Sequence, residues 1–177
     1  MPSSNAETPA HWLWVQPARQ RLLEMDGGAA TANWPVSTGR AGLGEALGSG
    51  KTPRGWHYVR ARIGTGLPAD AVLRGRRWRD EERWEPSSRL QDPILARILW
   101  LCGLEPGRNR GGQVDTFRRY IYLHGTADIA HLGQAVSAGC VRLAPDAIID
   151  LFPRSTAGLP VLIADTYASF PWPNRRT

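Results

Sequence analysis

Arg119-Tyr-Ile-Tyr-Leu123, leading into His124-Gly125, is the run that decides the fold class. Aromatic and branched aliphatic side chains packed this densely favour a strand. The glycine directly after the histidine lets another chain segment come close. Similar short segments recur on either side. His11 to Val15, Arg19 to Met25 (closed by the turn Asp26-Gly27-Gly28), Asn33 to Thr38, Trp56 to Ile63 and Val161 to Ala164 all have strand character. Val136, Cys140, Val141 and Leu143 mark one more short stretch.

Two helices are expected. Ile94, Leu95, Ile98, Leu99 and Cys102 follow Asp92-Pro93 at helical spacing and stop at Gly103. Pro145 to Phe152 forms a compact second helix with its proline at the start. Many short strands and two helices imply a mostly β domain, a sandwich or open barrel. Residues 64–92 are polar and mixed, and read as an excursion or lid that extends with the first helix to residue 116. The run Arg74 to Glu85 carries both charge signs, as a salt-bridged surface does.

The 177 residues fit one domain, and a composition 42% hydrophobic and 21% charged is that of a globular protein. Residues 1–10 are expected to be a loose tail, residues 11–167 the domain and 168–177 a C-terminal tail. Nothing approaches the roughly 18 apolar residues of a membrane helix. Met1 to Ala10 has neither a basic nor an apolar signal region, so a cytoplasmic location is expected, or the periplasm if an export segment is missing. The net charge is +6, with Lys51 the only lysine. So uniform an arginine bias fits a solvated basic surface better than a nucleic-acid groove, though weak attraction to acidic substrates stays open.

Gly48-Ser-Gly-Lys-Thr52 invites a phosphate-loop reading, but the first glycine of that motif falls on Glu45. Thr52 also precedes Pro53, which turns it away from helical geometry. A turn through Lys51 to Gly55 into the next strand explains the segment better.

The two cysteines are too few for a disulfide framework. Cys102 sits in an apolar run, as an inert buried thiol does. Cys140 sits in Ser137-Ala-Gly-Cys-Val-Arg142, among small residues beside an arginine, where a thiol can stay accessible and ionised. Thiol catalysis also needs a base. Of His11, His57, His124 and His131, His124 ends the decisive strand, and the loop that follows it is long enough to return Cys140 to the adjacent strand. His131 lies within that loop and is the weaker candidate. By themselves one cysteine and one histidine prove little and are better explained by a buried thiol and a structural imidazole.

The ordered set Pro35-Val-Ser-Thr-Gly39, Thr52-Pro-Arg-Gly55, Leu123-His-Gly-Thr126 and Ser137-Ala-Gly-Cys-Val-Arg142 resembles the L,D-transpeptidase (YkuD-type) catalytic domain. The last two motifs are specific, and Arg97 to Thr126 looks like a short branch of that family. The resemblance implies the family's β-sandwich or open barrel, with Cys140 as nucleophile, His124 as general base and the Gly125 carbonyl orienting the imidazole. It implies an oxyanion hole from the backbone of Gly139 and Cys140. Substrate contacts fall on Arg142, Ser137, Tyr122 and Thr126. Ala138 stands where many members carry a second histidine. The implied substrate is a peptidoglycan stem tetrapeptide, attacked at the L-centre carbonyl of its third residue, usually meso-diaminopimelate, with release of D-alanine. Water would then give an L,D-carboxypeptidase of wall-peptide recycling; an amine would give a cross-link or D-amino-acid exchange. No cofactor or metal, no nucleic acid and a monomer are expected. A non-catalytic wall-binding or polyanion-binding module with the same fold is the alternative of another class.

Overall fold

The structure, a computed structural model, describes residues 8–88 and 92–173. Most of the expected tail 1–10 and the last residues of the expected tail 168–177 lie outside this range. Ten strands build one mixed sheet. They are β1 (His11–Gln16), β2 (Arg21–Asp26), β3 (Ala29–Pro35), β4 (Gly55–Ile63), β5 (Ala71–Arg74), β6 (Arg77–Arg83), β7 (Ile94–Gly103), β8 (Tyr122–Thr126), β9 (Val141–Leu143) and β10 (Pro160–Ile163). The single α-helix among the described residues is α1 (Pro145–Leu151).

β3, β2, β1, β10, β4 and β7 lie side by side, and β7 carries β8, then β9, on its other edge. β1–β10 and β8–β9 are parallel pairs; the other pairs are antiparallel. The chain leaving β3 crosses to the far end and pairs there. Ser37 and Arg142 exchange backbone hydrogen bonds, Ser137 N–H donates to the Thr38 carbonyl, and Arg40 N–H donates to that of Ser137. The sheet therefore curls back on itself, which removes two open edges.

The expected helix over Ile94 to Cys102 is instead β7, the strand that joins the two halves of the sheet. A run apolar at every position but Arg97 fits a strand buried on both faces as well as a helix, and the buried Arg97 guanidinium is satisfied by the Leu67 and Ala96 carbonyls. Leu95, Leu99 and Leu101 enter the main core while Ile98 packs into a second cluster on the other side. Ala96 at φ 63° marks an irregularity between Leu95 and Ile98 in the pairing with β8. The segment 64–116 is therefore not a pure surface excursion: β7 at its centre belongs to the sheet, and the β5–β6 hairpin pairs with β7 through β5.

The decisive strand begins at Tyr122 rather than Arg119, because Arg119 and Tyr120 close a turn by donating to the Asp115 and Phe117 carbonyls. Along β8 the side chains alternate. Leu123, with Val141 and Leu143 of β9, faces the main core, where Ala147, Ile148 and Leu151 of α1 pack. Tyr122 points the other way, into a smaller cluster with Ile98 and Leu73 against which Trp100, Trp78 and Cys140 pack. At the C-terminus, Trp172 meets Trp56 edge-on at 4.6 Å and the Phe170 carbonyl accepts the Trp56 indole N–H. The segment to Pro173 is thus docked and not loose. Among the described residues no helix is long and apolar enough to cross a membrane.

Candidate active site

Parallel pairing of β8 with β9 sets Leu123 beside Val141 and His124 beside Arg142. Extending that register by one residue puts Cys140 beside Tyr122. Since alternate residues share a face, Tyr122, His124, Cys140 and Arg142 project from the side of the sheet opposite α1. Cys140 and His124 are diagonal neighbours, their Cα atoms roughly 8 Å apart by strand spacing and rise.

Gly139, just before Cys140, adopts φ +122°, and a Cβ there would stand 3.1 Å from the Lys51 carbonyl oxygen. Only glycine suits both demands. The glycine-rich segment dismissed as a nucleotide loop holds it in place. Fully buried Thr52 donates its hydroxyl to the Gly139 carbonyl at 2.9 Å and accepts the Gly39 N–H at 2.8 Å. Arg119 fastens the same segment from behind, reaching the Gly44 and Lys51 carbonyls and the Ser49 hydroxyl.

Two backbone groups meet the Cys140 sulfur: Tyr122 N–H donates to it at 3.4 Å, and its S–H donates to the Tyr120 carbonyl at 3.4 Å. The residue is half-buried, with its thiol against the apolar cluster. Burial pushes the thiol up to about 11, against the opposing pull of the Tyr122 N–H and the charges of Arg142 and Arg119. The expectation of a resting thiolate is therefore corrected: desolvation outweighs the neighbouring arginines, and at neutral pH the group is a thiol. Its partner is the Tyr120 carbonyl, not the imidazole.

His124 is buried, and its Nδ1 lies 2.8 Å from the Gly125 carbonyl. A carbonyl only accepts, so Nδ1 carries the hydrogen and Nε2 holds the basic lone pair. Burial lowers its pKa, with the Gly125 carbonyl and Asp92 opposing, so the ring is neutral at physiological pH. A neutral imidazole near a neutral thiol can receive a proton during a reaction but does not hold one beforehand.

Several residues expected to contact a ligand are braces. Ser137, 4% exposed, donates its hydroxyl to the Cys140 carbonyl at 2.6 Å and accepts the Gly139 N–H at 3.1 Å. The Gly139 N–H is thereby removed from the expected oxyanion hole. The Cys140 N–H keeps no hydrogen-bond partner among the described residues. Thr126, fully buried, donates to Asp92 at 2.7 Å and accepts the Asp128 N–H at 3.0 Å. Tyr122, 5% exposed, forms a wall. Arg142 is paired with Asp92 at 2.5 Å and lies 3.8 Å from Asp128, so its charge is already answered inside the protein. Both carboxylates are missed by sequence reasoning. Asp92 stands before a proline, a context that by itself signals a helix start; its contact with Arg142 of β9 reveals its role.

His131, the weaker base candidate, is exposed and bonded to Asp128 at 2.6 Å. His57 is a buried structural imidazole, held by the Gly55 carbonyl and the Thr116 hydroxyl. Cys102 is half-buried, its S–H directed to the Gly103 carbonyl. Among the described residues no three His, Cys, Asp or Glu side chains converge to hold a metal.

A family model described as the L,D-transpeptidase catalytic domain matches residues 10–163. No curated protein matches the chain. Solved structures do. An L,D-transpeptidase from Mycobacterium smegmatis is 15% identical at a TM-score of 0.52, over 87% of this chain and 58% of that one. A domain of the Xylanimonas cellulosilytica L,D-transpeptidase is 20% identical at 0.52, over 92% and 64%. L,D-transpeptidase 3 from Mycobacterium tuberculosis, in complex with a faropenem-derived adduct, is 16% identical at 0.54, over 88% and 60%. At such identities the likeness is one of fold, and the chain spans under two thirds of the length of each.

Proposed function

From the premise that the chain belongs to the L,D-transpeptidase catalytic-domain family, we propose that it is a cysteine acyl-transfer enzyme acting on peptidoglycan stem tetrapeptides, with Cys140 as nucleophile and His124 as base. One observation carries this reading: a half-buried thiol and an Nδ1-tethered, neutral imidazole project from one face of adjacent parallel strands.

Because the thiol rests protonated, attack and deprotonation are linked. The S–H exchanges the Tyr120 carbonyl for His124 Nε2, and the sulfur adds to the L-centre carbonyl of the third residue as Nε2 takes the proton. The free Cys140 N–H faces the developing oxyanion, while Ser137 and Thr52 keep the Gly139–Cys140 peptide from turning away. Collapse breaks the peptide bond, and the departing D-alanine amine takes the proton back from the imidazolium. A thioester on Cys140 remains. The same imidazole then activates the acceptor. The β5–β6 hairpin lying on the Tyr122 cluster narrows approach for a second stem, which supports water and an L,D-carboxypeptidase outcome.

The test is D-alanine release from free tetrapeptide, with and without an added amine acceptor. Cys140→Ala and His124→Ala are expected to cut the rate by roughly 10³-fold or more while the fold persists. Tripeptide as the main product supports water; an amine adduct as the main product assigns transfer instead. Full turnover by Cys140→Ala would end the proposal, as would stem-peptide binding that is unaffected by it and never followed by release.

A further inference from the structure

The β5–β6 hairpin turns through Gly75 and Arg76, both at positive φ (53° and 66°), the two-residue turn whose twist matches antiparallel strands. This tight reversal throws the Arg76 side chain back over the site face. Its Cζ lies 4.8 Å from the Trp100 ring centroid and 5.2 Å from that of Tyr120, and its Nη1 is 3.3 Å from the Tyr122 hydroxyl. These aromatic residues also border the nucleophile. The Tyr120 carbonyl and the Tyr122 N–H are the two groups bonded to the Cys140 sulfur.

Charge pairing around Arg76 is uneven. Arg74 is held by Glu82 at 2.6 Å and Arg83 by Asp70 at 2.7 Å. Arg142, on the far side of the sulfur, is answered by Asp92. Arg76 has no carboxylate partner among the described residues; its contacts are two ring faces and one phenol. Ring faces orient a guanidinium and dry its surroundings without neutralising it. An arginine so placed has its planar fork ready for a carboxylate.

We propose that Arg76, with Tyr120, Trp100 and Tyr122 as its shelf, is a carboxylate subsite that selects stem peptides whose third residue carries a free side-chain carboxylate. This rests on the acyl-transfer reading of the same site. Tyr122 spans the distance between the two, its backbone N–H on the sulfur and its hydroxyl on the guanidinium, so a third-residue side chain laid along the shelf from a carbonyl at Cys140 reaches Arg76. A diaminopimelate side chain ends in a carboxylate and satisfies it. An amidated diaminopimelate loses the negative charge, and a lysine side chain brings a second cation against it.

Three synthetic tetrapeptides, identical except for diaminopimelate, its side-chain amide or lysine at the third position, test this by kcat/KM for D-alanine release. The native protein is expected to prefer the free carboxylate over the amide by at least tenfold. Arg76→Gln should bring the two within about twofold of each other, chiefly by lowering the diaminopimelate value, and Arg76→Lys should restore part of the gap. Unchanged melting temperature in both variants confirms an intact fold. If Arg76→Gln keeps the native preference while still releasing D-alanine, the subsite is overturned and the acyl-transfer reading stands. If the native protein releases D-alanine from none of the three, the acyl-transfer reading falls and the subsite with it.

Discussion

Replacing Asp92 by Asn removes one charge from the pair that links the segment before β7 to β9, and the consequences run in two directions. The Asp92–Arg142 contact is largely enclosed, the two side chains being 29% and 11% exposed. Removing one partner of a fully buried pair costs about 3–5 kcal/mol. Solvent at the edge of Asp92, and Asp128 at 3.8 Å from the guanidinium, reduce this to about 2–3 kcal/mol. The asparagine carbonyl can still accept the Thr126 hydroxyl, so the charge is the main thing lost. In a domain of this size that corresponds to a melting temperature lower by roughly 4–12 °C. The thiol responds oppositely. Asp92 raises its pKa and Arg142 lowers it, so Asp92→Asn leaves the arginine's pull unopposed. The midpoint of Cys140 alkylation by iodoacetamide, followed against pH, should fall below that of the native protein measured side by side. Urea denaturation gives the first quantity, and a cycle with Arg142→Leu isolates the pair, the double variant losing less than the sum of the single ones. An alkylation midpoint that rises, or a stability loss under about 0.5 kcal/mol, would refute the role given to this pair.

Thr52→Val leaves the Gly139 carbonyl and the Gly39 N–H without their buried partner, so a loss of about 2–4 kcal/mol is expected in denaturant titration. Its kcat should fall more than its KM rises, and Thr52→Ser should recover most of both. His57 titrates at about 4 when folded and near 6.5 when unfolded. Between those values the unfolded chain holds the extra proton, so stability is intact above pH 6.5 and declines as the pH falls toward 4, on the order of 3 kcal/mol in all. His124 is shifted in the same direction. Denaturation midpoints measured across that window should show the decline, with a smaller slope in His57→Asn.

Residue type and local spacing sufficed for much of the architecture. Strands near 11, 21 and 56, the Asp26–Gly28 turn and the helix from Pro145 are written in short-range patterns, and the motif residues identify the family through their order along the chain. Interactions across long stretches of sequence did the rest. Ile94 to Gly103 carries apolar positions that suit either a helix or a doubly buried strand, and only β4 on one edge and β8 on the other select the strand. Cys140 and His124 could be picked out by their neighbours in sequence, yet the state of the thiol could not, because desolvation by Ile98, Leu73 and Tyr122 outweighs the adjacent arginine. Likewise the chemistry of Ser137, Thr126 and Arg142 is legible, but a hydroxyl or guanidinium can bind a ligand only if the fold leaves it unpartnered. Asp92, the Cys140 carbonyl and the Gly139 N–H take those groups first, and that allocation is made by three-dimensional packing alone.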